Sequence, residues 1–185
     1  MNAYVIAAFY KFVSLPDYIA FKEILYRQMQ HHHIKGTIIL AGEGINGTIS
    51  GTADEMDSFI RYLKEQSYFH DLHFKISYHD NNPFDKSKIK LRKEIVTMGV
   101  ANINPEQDTG VHVSPEDWNN LIQEPGVLTI DTRNDYEVQL GTFKGAINPH
   151  TINFRDFPEY VQNHLMEDKK TKIAMYCTGG IRCEK

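Results

Sequence analysis

Two β-branched runs, Gly36-Thr-Ile-Ile-Leu40 and Ile45-Asn-Gly-Thr-Ile-Ser50, are separated by only Ala-Gly-Glu-Gly. So short a spacer leaves room for a chain reversal and little else. Glycines that tolerate positive φ make it a tight connection between paired strands. This pair fixes the reading of what flanks it. Residues 3–9 (Ala-Tyr-Val-Ile-Ala-Ala-Phe) are short, apolar and bounded by a turn, as a buried strand would be. Ser14-Leu-Pro-Asp17 then supplies a capping hydroxyl, an early proline and a first-turn carboxylate, the marks of a helix start. Tyr18, Phe21, Leu25 and Met29 follow at spacings of three and four and share one helical face. Beyond the pair, Thr52-Ala-Asp-Glu55 is a capping box, and Met56, Phe59, Ile60 and Leu63 give a second apolar helix face. Leu72–Tyr78 alternates and closes the series as a fourth strand. The order β-α-β-β-α-β over residues 1–82 predicts an α+β, ferredoxin-like sandwich: an antiparallel sheet with two helices on one face. Such a fold hosts many functions and by itself implies none.

Asp80-Asn-Asn-Pro83 is a clear break, and residues 83–112 read as a basic segment followed by a polar linker. Lys86, Lys88, Lys90 and Arg92 recur at every second residue, so in an extended chain all four point to one side, with Ile89, Leu91 and Ile95 on the other. Two readings fit. One is a solvated edge strand whose lysines deter strand-to-strand aggregation. The other is a contact line for a phosphate backbone.

From residue 113 the pattern changes. Ser114-Pro-Glu-Asp117 opens a helix carrying Trp118, Leu121 and Ile122, which Pro125-Gly126 stops. Val127-Leu-Thr-Ile130 is a buried strand ending at Asp131-Thr-Arg133. A helix over Pro158–Leu165 leads to a second strand, Lys172-Ile-Ala-Met-Tyr176, and directly to Cys177. Alternating strands and helices predict an α/β domain with a parallel sheet, whose ligand sites lie beyond the carboxyl ends of the strands. Asp131 and Cys177 both sit at such ends.

The order Asp131-Thr-Arg133, Glu137, Gly141, Gly145-Ala-Ile-Asn148 and Cys177-x-x-Gly-x-Arg182 resembles a rhodanese domain over residues 113–185. The resemblance implies a loop whose amides surround the Cys177 sulfur. Inward N–H groups, a helix start and a nearby guanidinium favour thiolate over thiol. It casts Cys177 as nucleophile, Arg182 as the anion-stabilising loop residue, and Asp131 with Arg133 as scaffold, with Thr178, Gly179 and Gly180 holding the substrate. The loop's six residues suit a sulfur or persulfide better than a phosphate, which disfavours a phosphatase.

Together with the first half, Ala41-Gly-Glu-Gly-Ile-Asn-Gly47, Lys90-Leu-Arg-Lys-Glu-Ile-Val96 and the ending Cys177-Thr-Gly-Gly-Ile-Arg-Cys-Glu-Lys185 resemble the bacterial tRNA uridine hydroxylase family. That resemblance implies an enzyme that uses dioxygen as co-substrate to make 5-hydroxyuridine at the wobble position. Its partner would be tRNA, met at the anticodon, along Lys86, Lys88, Lys90 and Arg92. Rhodanese domains continue past the cysteine loop, whereas this chain stops at Lys185, so the second domain reads as incomplete.

Composition narrows the setting. With 41% hydrophobic and 24% charged residues and a net charge of −4, the chain is an ordinary globular one that does not coat nucleic acid by bulk charge. No apolar run approaches the roughly 20 residues that span a bilayer, and two cysteines without an export signal imply free thiols in the cytoplasm. Cys183 is either a resolving thiol for an oxidised or persulfidated Cys177 or a small residue packed on the first helical turn. His31, His32 and His33 splay through about 200° on a helix and do not converge on one ion. His70 and His73 lack a partner set, and no metal is predicted. Gly42, Gly44 and Gly47 precede no Gly-Lys-Ser/Thr, so turn geometry explains them better than phosphate binding. No flavin, haem or iron pattern is visible. Wobble-uridine hydroxylation through Cys177 is the leading expectation. The rivals are a persulfide-carrying sulfurtransferase and a non-catalytic RNA-binding or interaction module.

Overall fold

The computed structural model describes residues 4–166 and 170–185, which fall into two compact units divided between Ile95 and Val96. In the first, β1 (Tyr4–Phe12), α1 (Tyr18–His31), β2 (Lys35–Ala41), β3 (Gly44–Gly51), α2 (Ala53–Glu65) and β4 (Phe74–His79) follow in the expected order. Ala3, placed in the first strand from sequence, lies outside the described residues. A fifth strand, β5 (Ser87–Leu91), completes one sheet in the order β4-β1-β3-β2-β5.

β5 changes the expected architecture. It runs parallel to β2, pairing Ile38 with Ile89 and Leu40 with Leu91, so the sheet is mixed and not wholly antiparallel. Ile89 is buried while Lys86, Lys88, Lys90 and Arg92 are exposed, as the two-residue period requires. Ile38, Leu40, Ile45, Ile49 and Ile89 meet Leu25 and Met29 of α1 and Met56, Phe59 and Leu63 of α2 in one core. Each fully buried side chain of this kind contributes about 1.5–3 kcal/mol.

Local chemistry sets the boundaries. The capping box at α2 forms, with the Thr52 amide donating to Glu55 Oε2 at 2.8 Å. α1 starts later than expected. Leu15 is buried and its amide donates to Gly42 O, so Ser14 lies outside the helix and Asp17 is the N-cap, without a side-chain capping bond. Gly44, at φ +139°, is required by close approach: a Cβ there would lie 2.0 Å from Lys11 O. Thus the glycines of residues 41–47 serve the β2–β3 turn and its packing on β1.

The second unit holds α3 (Pro115–Leu121), β6 (Leu128–Asp131), α4 (Asp135–Val138), a 3₁₀ turn (Phe154–Asp156), α5 (Phe157–His164), β7 (Ile173–Tyr176) and α6 (Ile181–Glu184). Ser114 caps α3 by accepting from the Asp117 amide at 3.1 Å. β6 and β7 pair in parallel, and Ile147 adds an isolated parallel bridge to Ile130. Met98, Ile130, Phe154 and Phe157 form a small buried core. No helix among the described residues is long and apolar enough to cross a membrane.

Candidate active site

Parallel pairing sets Asp131 beside Tyr176, so the carboxyl ends of β6 and β7 lie side by side and Cys177 begins the loop beyond them. Thr132 locks this register. Its amide and its hydroxyl each donate to Tyr176 O at 3.0 Å, fixing the residue before Cys177.

The loop then folds back on the sulfur. Gly180, at φ +95°, turns its amide to donate to Cys177 Sγ at 3.0 Å. A hydrogen bond from the Cys183 thiol and the amides of Arg182, Gly180 and Cys183 outweigh burial and push the Cys177 thiol down to about 5. The same contact, with burial, pushes Cys183 up, so it stays a protonated donor. Thr132 Oγ1 lies 3.5 Å from Cys183 Sγ.

Arg182 is held by Glu137 through a two-pronged ion pair at 2.7 and 2.9 Å, with Thr178 donating to the same carboxylate. Arg182 holds Glu137 at about 2. Burial works against the charge of Arg182, and Glu137, with the thiolate of Cys177, more than offsets it.

Asp131 is fully buried and anchors the opposite wall. Nε and Nη2 of Arg133 donate to its two oxygens at 2.8 and 2.6 Å, and the hydroxyls of Tyr176 and Thr142 donate to Oδ2 at 2.6 and 3.0 Å. Burial alone would raise this carboxyl, but the donors win and hold it at about 2. A cavity of about 390 Å³ opens between the networks, lined by Arg133, Thr142, Phe143, Tyr176, Cys177 and Thr178.

The structure thus brings together Cys177, Thr178, Gly179, Gly180, Arg182 and Cys183 in one loop, with Asp131 and Arg133 at the neighbouring strand end. Lys86, Lys88, Lys90 and Arg92 belong to the first unit.

Residues 4–95 match the UPF0176 acylphosphatase like domain, and residues 114–185 match the rhodanese-like domain. Over all 185 residues the chain is 56% identical to the tRNA uridine(34) hydroxylase of Legionella pneumophila strain Paris, covering 73% of that protein. It is 55% identical to the one of strain Corby over the same length and share. The chain belongs to the tRNA uridine(34) hydroxylase family. A likeness in fold alone links it to an acylphosphatase from Bacillus subtilis, at 13% identity and a TM-score of 0.37 over 46% of this chain and 97% of that one.

In this member of the family, sequence reasoning missed Thr132, Thr142, Phe143 and Tyr176, and named Glu137 only as part of a pattern. One signal was available for Tyr176, a polar-tipped aromatic immediately before the cysteine. Thr142 and Phe143 lie in the irregular stretch before Gly145, where no periodicity marks which side chains turn inward.

Proposed function

We propose that this chain hydroxylates the wobble uridine of tRNA at C5, with Cys177 as nucleophile. The observation that carries the role of Cys177 is its sulfur, which accepts from the Gly180 amide at 3.0 Å and is pushed toward the thiolate by the Cys183 donor and the loop amides, in a residue that lines an open cavity. Relatives named tRNA uridine(34) hydroxylase supply the reaction.

Uracil C5 becomes nucleophilic once a nucleophile adds at C6. The Cys177 thiolate would form the S–C6 bond while the C5–C6 π pair moves into an enolate. C5 then bonds to oxygen derived from dioxygen, and loss of the C5 proton with departure of the thiolate restores the double bond. One oxygen atom enters the base and the other leaves as water, so two electrons and two protons come from a separate reductant. Arg182, neutralised in part by Glu137, would steady negative charge at the loop. Exposed Lys86, Lys88, Lys90 and Arg92 on β5 would meet phosphates of the tRNA. A tRNA substrate is the support for a cytoplasmic setting.

The test is turnover of unmodified tRNA under ¹⁸O-labelled dioxygen, with nucleosides read by mass spectrometry. One ¹⁸O in 5-hydroxyuridine is expected. Unlabelled product would overturn the dioxygen route, and no product under any reductant would overturn the reaction.

A further inference from the structure

Sulfur chemistry alone leaves the cavity beside Cys177 unexplained. A persulfide adds one atom to the cysteine, yet the cavity measures about 390 Å³ and its lining includes two aromatic residues, Phe143 and Tyr176. Phe143 is the unusual one. Its ring meets Tyr176 edge-on, with centroids 4.8 Å apart at 89°, and tilts against Trp118 at 5.6 Å. Its amide donates to the Tyr176 hydroxyl at 3.2 Å, and that hydroxyl is pinned by the buried Asp131. Phe143 is therefore anchored, yet it stays 42% exposed. A rigid aromatic that leaves much of its surface to solvent, in the same cavity as a nucleophile, is a stacking surface for something flat.

We propose that Phe143 is the base-binding residue of this site, stacking the pyrimidine ring extruded from the anticodon loop so that it shares the cavity with the Cys177 sulfur. This rests on the hydroxylase reading and deepens it. An unstacked base has lost its neighbours at a cost of a few kcal/mol, and a protein aromatic face restores part of that loss. Arg133 suits the polar edge of such a base. Its Nε and Nη2 donate to Asp131 and Gly141 O, and Nη1 would be the group that donates to a pyrimidine carbonyl. Its guanidinium also lies over the Tyr176 ring at 5.5 Å, which fixes its plane. The Asp131 hub thus orients Arg133 and Tyr176, and through Tyr176 it braces Phe143.

The test compares wild type with Phe143→Leu, Phe143→Tyr and Phe143→Trp under single-turnover conditions on tRNA. tRNA affinity is measured in parallel, with the rate of Cys177 alkylation as a check on the loop. Phe143→Leu keeps apolar bulk but loses the aromatic face. It should slow hydroxylation about ten- to hundred-fold. Affinity should fall by less than about three-fold, because phosphate contacts carry most of it. Phe143→Tyr and Phe143→Trp should stay near wild type, and all three should alkylate at the wild-type rate. Hydroxylation by Phe143→Leu near the wild-type rate would overturn the base site while leaving the hydroxylase reading intact. Equal losses in all three variants, or a changed alkylation rate, would mean that Phe143 braces the fold, and would overturn it too. A wild-type protein that makes no 5-hydroxyuridine would remove both readings together.

Discussion

Replacing Cys183 by alanine removes the donor that does most to hold Cys177 as a thiolate. A hydrogen bond to a charged group contributes about 1.5–3 kcal/mol net. With about 1.36 kcal/mol for each pH unit, the midpoint of Cys177 should rise by about one to two pH units. From about 5 in the wild type, it should reach about 6–7 in Cys183→Ala. The amides of Gly180 and Arg182 remain, so the value stops short of the ordinary thiol at about 8.5. The folded value is depressed, so thiolate stabilisation is complete above about 8.5 and is lost as pH falls through the folded midpoint. In Cys183→Ala the loss begins at the same pH but is complete by about pH 6–7, so the stabilisation is smaller throughout. The assay is the rate of iodoacetamide alkylation between about pH 4 and 9, with adducts counted by intact mass; the variant has a single thiol, which makes its curve unambiguous. Cys183→Ser keeps a hydroxyl donor and should hold the midpoint near the wild-type value. An unchanged midpoint in Cys183→Ala would refute the pairing and leave the loop amides as the whole cause.

Three further outcomes follow from the same geometry. Glu137→Gln breaks a nearly buried ion pair with Arg182 and should cost about 3 kcal/mol in urea unfolding. Glu137 sits at about 2 in the fold, so this difference should be complete above about pH 4.5 and fade as pH falls toward 2. Tyr176→Phe removes a hydroxyl donor from buried Asp131 and should cost about 1.5–3 kcal/mol, read from the same unfolding curves. Replacing Lys88 and Lys90 together by alanine should lower the salt slope of tRNA binding by about 1.4–1.8; an unchanged slope would return β5 to the role of a solvated edge.

The first unit was legible because its signals are local. The capping box at Thr52, the three-and-four spacing in α1 and the glycine-rich reversal between β2 and β3 each act within a few residues. β5 was legible only in part. The alternation of its lysines showed the strand, but its parallel pairing with β2 is a contact across about fifty residues that no local pattern encodes. The start of α1 was misplaced for a similar reason, since the bond between Leu15 and Gly42 comes from the neighbouring turn. At the site, Cys177 announced itself by its place between an apolar strand and two glycines. Asp131 was visible as a strand-end acid, but its work as a five-donor hub was not, because Thr142, Arg133 and Tyr176 converge on it from three stretches of chain. Phe143 lies outside every regular element, so only the folded chain reveals its exposed ring beside the thiolate.

The most direct test of the central claim is made in cells lacking the native gene. Such cells receive either the wild-type protein or Cys177→Ser, and bulk tRNA nucleosides are analysed by mass spectrometry. The account predicts that 5-hydroxyuridine and its derivatives return with the wild type and not with Cys177→Ser. Equal restoration by both would contradict the covalent role of Cys177, and restoration by neither would contradict the hydroxylase reading and move the weight to sulfur transfer.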